Sequence, residues 1–191
     1  MIAATDTNAR QTADTDRRDG AKPHTTPSAR LVNHGRTLHV PGAQLEQLTP
    51  LAAADELPCL LRATIPGGGV VALHSHADPE TFVVVAGELD GLTRYAHGSA
   101  WVPLHAGDIF HVPGDVPHAW RNRSTQPATA LVLTTTRRAR FFCDIAAPAS
   151  RTHTPDPEVI ATCPDVARRY GYWTATPEEN AAIGLRVAPW P

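Results

Sequence analysis

The chain has 191 residues, and its 17 Lys and Arg against 19 Asp and Glu give a formal net charge of -2. That length suits one domain with tails, and the near balance of charge offers no basic face for nucleic acid or an anionic membrane surface. No apolar run approaches the length of a membrane span, and the opening MIAATDTNARQTADTDRRDG lacks the apolar stretch of a secretory signal, so a cytoplasmic location is expected.

Residues 1–30 are rich in Ala, Thr, Asp and Arg without periodic apolar positions, which predicts a disordered tail. From 31 to 147 short apolar runs are broken by turn residues, among them RTLHVPG, LPCLLRATIPGGG, VVALHSH, TFVVVAGEL, AWVPLHAGD, IFHVPGD and ATALVLTTT. Eighteen prolines and thirteen glycines punctuate the chain. Such spacing of Val-, Ile-, Leu- and Thr-rich runs predicts an all-β sandwich or barrel. ATALVLTTT reads as a central strand, with Ala130, Val132 and Thr134 on one face. Residues 148–191 change character: Asp156 and Pro157 are suited to start a short helix, Pro164 to limit it, and Asp165 to cap a second helix ending near Gly171. This predicts a helical extension packed on the β domain. Cys59, Cys143 and Cys163 are too far apart for a zinc ribbon or a disulfide framework and read as free thiols.

The stretch HSHADPE at 74–80 carries the chemistry. Alternate residues of a strand face the same way, so His74 and His76 share a face, about 6–7 Å apart along the strand, with Val70 and Ala72 beside them. Asp78-Pro79 bends the chain, and the next strand puts Glu80, Phe82 and Val84 on one face, returning Glu80 toward the histidines. The spacing Gly68, His74, His76, Glu80, Gly87 has a chance probability on the order of one in ten thousand for this composition. A second segment, Gly107 followed by PGDVPHAWRN, offers His118 from a separate strand, sharing a face with Trp120. Three imidazoles and a carboxylate suit a divalent first-row transition ion (Fe, Ni, Mn, Co, Cu or Zn), whereas calcium prefers six to eight oxygens. The PGGG turn at 66–69 lacks the Lys-Ser/Thr and following helix of a phosphate loop. Of the other histidines, His111 is the one whose position near the second segment leaves open a place in the cavity.

These two segments resemble the paired motifs of the cupin superfamily, G-x5-H-x-H-x3-E-x6-G and G-x5-P-x-G-x2-H-x3-N. The first matches at every fixed position. The second departs once, with Asp115 where a glycine is expected and Gly114 just before it. Asp tolerates a left-handed turn better than most residues. The tail, with Tyr170-Gly171 and Pro177, is more loosely similar to that of quercetin-dioxygenase-like monocupins. The resemblance implies a double-stranded β-helix (a jelly-roll barrel) with short C-terminal helices, and it implies His74, His76, Glu80 and His118 as metal ligands. It also implies a homodimer and a quercetinase-like dioxygenase that cleaves a small enolisable or polyphenolic substrate with O2. The same ligands serve non-redox isomerases, cyclases and lyases, and a non-catalytic small-molecule-binding module is a third reading. Glu80, beside an apolar wall, is expected to have its pKa raised and to act as general base. Phe82 and Trp120 are the substrate-pocket candidates, and Phe141, Phe142, Tyr172 and Trp173 are candidates to close the barrel mouth.

Overall fold

Alternation of buried and half-exposed residues organises the described chain, as in Pro58–Ile65, where Cys59, Leu61, Ala63 and Ile65 turn inward. A computed structural model describes residues 35–95, 98–146 and 164–187, all within one compact unit, Val32–Pro191. The tail at 1–30 and the helix start proposed at Asp156 lie outside the described residues.

Eleven strands are described: β1 (Arg36–Val40), β2 (Ala43–Gln47), β3 (Pro58–Ile65), β4 (Val70–Ser75), β5 (Glu80–Ala86), β6 (Glu88–Tyr95), β7 (Gly98–His105), β8 (Ile109–Val112), β9 (His118–Arg121), β10 (Ala128–Thr135) and β11 (Trp173–Thr174). They form two antiparallel sheets in the orders β1-β2-β3-β10-β5-β8 and β11-β4-β9-β6-β7. This is the all-β double-stranded β-helix expected, with short helices added. ATALVLTTT is central: β10 pairs β3 on one side and β5 on the other, and Ala130, Val132 and Thr134 are buried. Leu61, Phe82, Val84, Trp120 and Val132 belong to the main core between the sheets, where burying each large side chain contributes roughly 1.5–3 kcal/mol.

Among the described residues, three helical segments follow β10. The first, α1 (Thr136–Ile145), departs from expectation, since this stretch was read as part of the β domain. Thr135 caps it by accepting the Arg138 backbone N–H, and Arg and Ala sustain it better than Thr and Phe oppose it. Residues 164–169 are helical, here α2, and end before Gly171 at φ 72°. Asp165 lies inside that helix and pairs with Arg168, so it does not cap the helix start. The third, α3 (Pro177–Ala182), opens with a full capping box between Thr176 and Glu179. The extension is also not purely helical, because β11 joins the sheet beside β4. Cys59 and Cys143 are free thiols. Among the described residues no helix is long and apolar enough to cross a membrane.

Candidate metal centre

β4 and β9 place two of the histidines directly opposite one another, with His74 paired to His118. Their ring centroids are 4.2 Å apart, and that of His76 lies 5.5 Å from His74 and 5.0 Å from His118. The simple alternation expected along β4 is corrected here. Val71 pairs with Trp120 and His74 with His118, so β4 carries one residue more than β9 between these pairs, which is a β-bulge. Val71 therefore joins His74 in lining the interior, while Val70 and Leu73 pack outward against Leu92, Ala119 and Leu185. The C-terminal segment seals the bulge: buried Asn180 accepts the Leu73 N–H at 2.9 Å, and the Ala175 N–H donates to the Leu73 carbonyl.

Each imidazole is locked by its own backbone. The Nδ1–H of His74 donates to the Ala72 carbonyl at 2.8 Å, that of His76 to Asp78 at 2.8 Å, and that of His118 to Val116 at 2.9 Å. A carbonyl only accepts, so Nδ1 carries the proton and Nε2 presents a lone pair. The Nε2 atoms of His76 and His118 are buried without a hydrogen-bond partner. One ligand atom from each of His74, His76 and His118 lies within 4.8 Å of the others, so the three could hold a metal ion. Burial, aided by the charge of Arg138, holds both His74 and His76 below the ordinary imidazole range, which keeps them neutral. The buried, unpartnered lone pairs of His76 and His118, with that of His74 converging on them and meeting the Arg138 guanidinium, fit a divalent transition ion, and the carbonyl partners behind them are what such ligands use for orientation.

Glu80, 2 % exposed, sits at the start of β5 and brings Oε2 to 3.5 Å from His76 Nε2 and 3.3 Å from His118 Nε2. The bend expected at Asp78-Pro79 thus returns it to the histidines. Its acidity runs opposite to expectation. Burial alone would raise its pKa, but the Arg138 guanidinium together with the neighbouring His118 and His76 outweighs burial and holds it well below the usual carboxylate range. Glu80 is ionised and a weak base near neutral pH.

Phe82 and Trp120 pack with ring centroids 4.1 Å apart and planes tilted by 47°. With Val71, His74, Glu80 and Arg138 they line a cavity of about 70 Å³ inside the barrel. A second cavity of about 100 Å³ opens between His74, Arg138, Phe141, Phe142, Tyr172 and Trp173, which puts the four mouth candidates together beside the histidines. His111 is exposed and hydrogen-bonds Thr81, away from the cavity.

The second motif keeps its turn. Asp115 adopts φ 63° and its N–H donates to the His76 carbonyl at 2.7 Å. A Cβ on Gly114 would lie 2.3 Å from the Ala77 carbonyl oxygen, so the glycine just before Asp115 is the one the packing requires. Asn122 is structural: its amide donates to Ile65 and Gln126 carbonyls, and its backbone clasps Gly68 and Gly69.

Sequence reasoning missed Arg138, which donates from Nε to Glu80 Oε1 and from Nη2 to His74 Nε2, each at 3.0 Å. It also missed Asp78 as a hub that accepts from Thr135, Arg137 and Tyr172. The signal available for Arg138 was the N-cap Thr135 followed by TRRARFF, a helix start that turns an arginine back over the strand ends.

A jelly-roll barrel that gathers three backbone-locked histidines, His76 and His118 among them buried, forms a candidate metal site. Residues 61–134 match the family model described as a Cupin domain, which supports the cupin superfamily. The chain is similar to the Cupin_2 domain of an XRE family transcriptional regulator from Enterobacter cloacae (23% identity, 49% of this chain and 95% of that one, TM-score 0.40). It is similar to the polyketide cyclase RemF from Streptomyces resistomycificus (16%, 58% and 80%, TM-score 0.47). An RmlC-like cupin from Shewanella frigidimarina is similar at 18% identity, over 61% of this chain and 96% of that one, with a TM-score of 0.47. No curated protein matches.

Proposed function

We propose that the protein is a metal-dependent cupin enzyme, a quercetinase-like dioxygenase that acts on a small enolisable compound with O2. The observation that carries this reading is the convergence of three Nε2 atoms, those of His76 and His118 buried without a partner and that of His74 meeting Arg138, each ring backed by a carbonyl on Nδ1. These residues would hold one divalent transition ion, with Glu80 as the fourth ligand. When bound, the ion supplies Lewis-acid stabilisation of an enolate and, if redox-active, a partner for oxygen.

The chain's own residues supply the rest. Arg138 keeps Glu80 ionised and oriented. Phe82, Trp120 and Val71 exclude water from the reacting carbon. The inner cavity, about 70 Å³, is small beside the roughly 300–1,000 Å³ of sites for drug-sized ligands. A compact substrate is therefore favoured over a flavonol.

Elemental analysis of anaerobically purified protein, followed by oxygen-electrode assays on small enolisable compounds, tests the proposal. About one transition ion per chain and oxygen uptake matched to substrate loss are expected. Conversion without uptake overturns the dioxygenase reading in favour of a non-redox isomerase, cyclase or lyase. A chain that cannot be loaded with any transition metal overturns the site itself.

A further inference from the structure

We infer that Arg138 is a substrate-recognising residue and that the substrate carries a carboxylate next to its enolisable ketone; this rests on the metal-dependent reading above. Arg138 is 4 % exposed and enters the barrel from the first turn of α1. Nε donates to Glu80, and Nη2 donates to His74 Nε2, the lone pair that a bound ion would claim, which would release Nη2 as well. The third nitrogen, Nη1, is buried with no hydrogen-bond partner. A charged donor left unpaired in the interior is costly, and a purely structural ion pair has no need of one. The neighbouring Arg137 shows the contrast: it donates to the Asp78 carboxylate and to the Tyr170 carbonyl.

What surrounds the guanidinium is aromatic. Its carbon lies 4.3 Å from the Phe142 ring centroid, 5.0 Å from Phe141 and 5.2 Å from Tyr172. The rings hold its plane by cation–π contact but give Nη1 no oxygen to bond. Arg138 also lines both the inner cavity and the one at the mouth. A guanidinium is the side chain best matched to a carboxylate, through paired N–H donors.

Charge balance points the same way. A divalent ion, the Glu80 carboxylate and the Arg138 guanidinium together leave the enclosed site two positive charges in excess. A substrate with one carboxylate and one ionised enol offsets both, whereas a neutral-bodied enol offsets one. Buried charge favours the partner that neutralises it fully.

The test compares pyruvate with methyl pyruvate, which keeps the ketone and the enolisable methyl but masks the carboxylate. Calorimetric titration of the full chain, Zn(II)-loaded and metal-free, reads the affinities, and elemental analysis reads the Zn(II) content. Pyruvate is expected to bind the loaded chain about tenfold or more tightly than the ester. Arg138→Gln should erase that preference in chains that elemental analysis shows to hold Zn(II), and Arg138→Lys should restore part of it. Equal binding of acid and ester by the wild-type chain, or no binding of either, overturns the inference without needing any variant. A folded Arg138→Gln chain that still prefers the acid also overturns it, since the metal alone would then read the carboxylate. If no metal loads and the metal-free chain still prefers the acid, the dioxygenase reading falls and the Arg138 assignment stands.

Discussion

At His118 the ring is 1 % exposed and its Nδ1–H is already spent on Val116, so removing the ring removes a proposed ligand without unpairing much else. His118→Ala should keep the barrel's circular dichroism and lower transition-metal affinity at least about 100-fold, beyond what loss of an outer hydrogen bond costs. Metal retained at one ion per chain would remove His118 from the ligand set. Asp78 has a different task. Burial alone would raise its pKa, but hydrogen bonds from Thr135 and Tyr172 and the charge of Arg137 bring it below the ordinary value. The unfolded chain, near the usual value of about 4, then binds the proton more readily. Its contribution is present above that value and is lost as pH falls through the lower folded one. Melting temperature should therefore drop on the acid side of about pH 4, and Asp78→Asn should flatten that drop. An unchanged acid slope in the variant would show that Asp78 carries none of it.

Among the elements, the β4 bulge and α1 decide the site. The bulge frees the Leu73 N–H, and Asn180, reaching from α3, accepts it. Asn180→Ala leaves that donor buried without a partner and removes the amide bonds to Ala175 and Thr176. A loss of about 1–3 kcal/mol is expected in denaturant unfolding, together with weaker metal binding because His74 follows the bulge directly. A variant of wild-type stability would mean that the bulge is held by β-pairing alone. Neither the bulge nor the role of Asn180 was legible, since a bulge is chosen by pairing with β9, 44 positions on from His74 to its partner His118. The β10 strand was legible because its period-2 burial is written into ATALVLTTT. Its continuation into α1 was not, because the Thr run hides a cap.

Across the whole molecule, the outer face of the six-stranded sheet keeps apolar side chains in the open: Ile109 is 67 % exposed, Leu133 50 % and Val85 45 %. The registers of β10, β5 and β8 set these residues on the same face, and β8 is an edge strand of the kind that pairs with a second copy. The homodimer implied by the resemblance is proposed to use this face. Light scattering should give twice the chain mass, and Ile109→Lys should return it to the monomer. A monomer at every concentration would remove the proposal.

The sequence by itself determined the strand-rich class, the two motif segments and the identity of the residues that converge, because side-chain period and turn residues are local properties. It also contained the Asp78-Pro79 bend that brings Glu80 back and the Gly114-Asp115 turn that presents His118. Only the tertiary structure decided what those residues face. The bulge put Val71 rather than Ala72 beside His74 in the inner cavity. Arg138, 58 positions beyond Glu80, together with His118 and His76 set the charge state of the carboxylate against the trend that burial alone dictates. Both outcomes depend on contacts between distant segments, where strand pairing and buried charge outweigh anything a local pattern encodes.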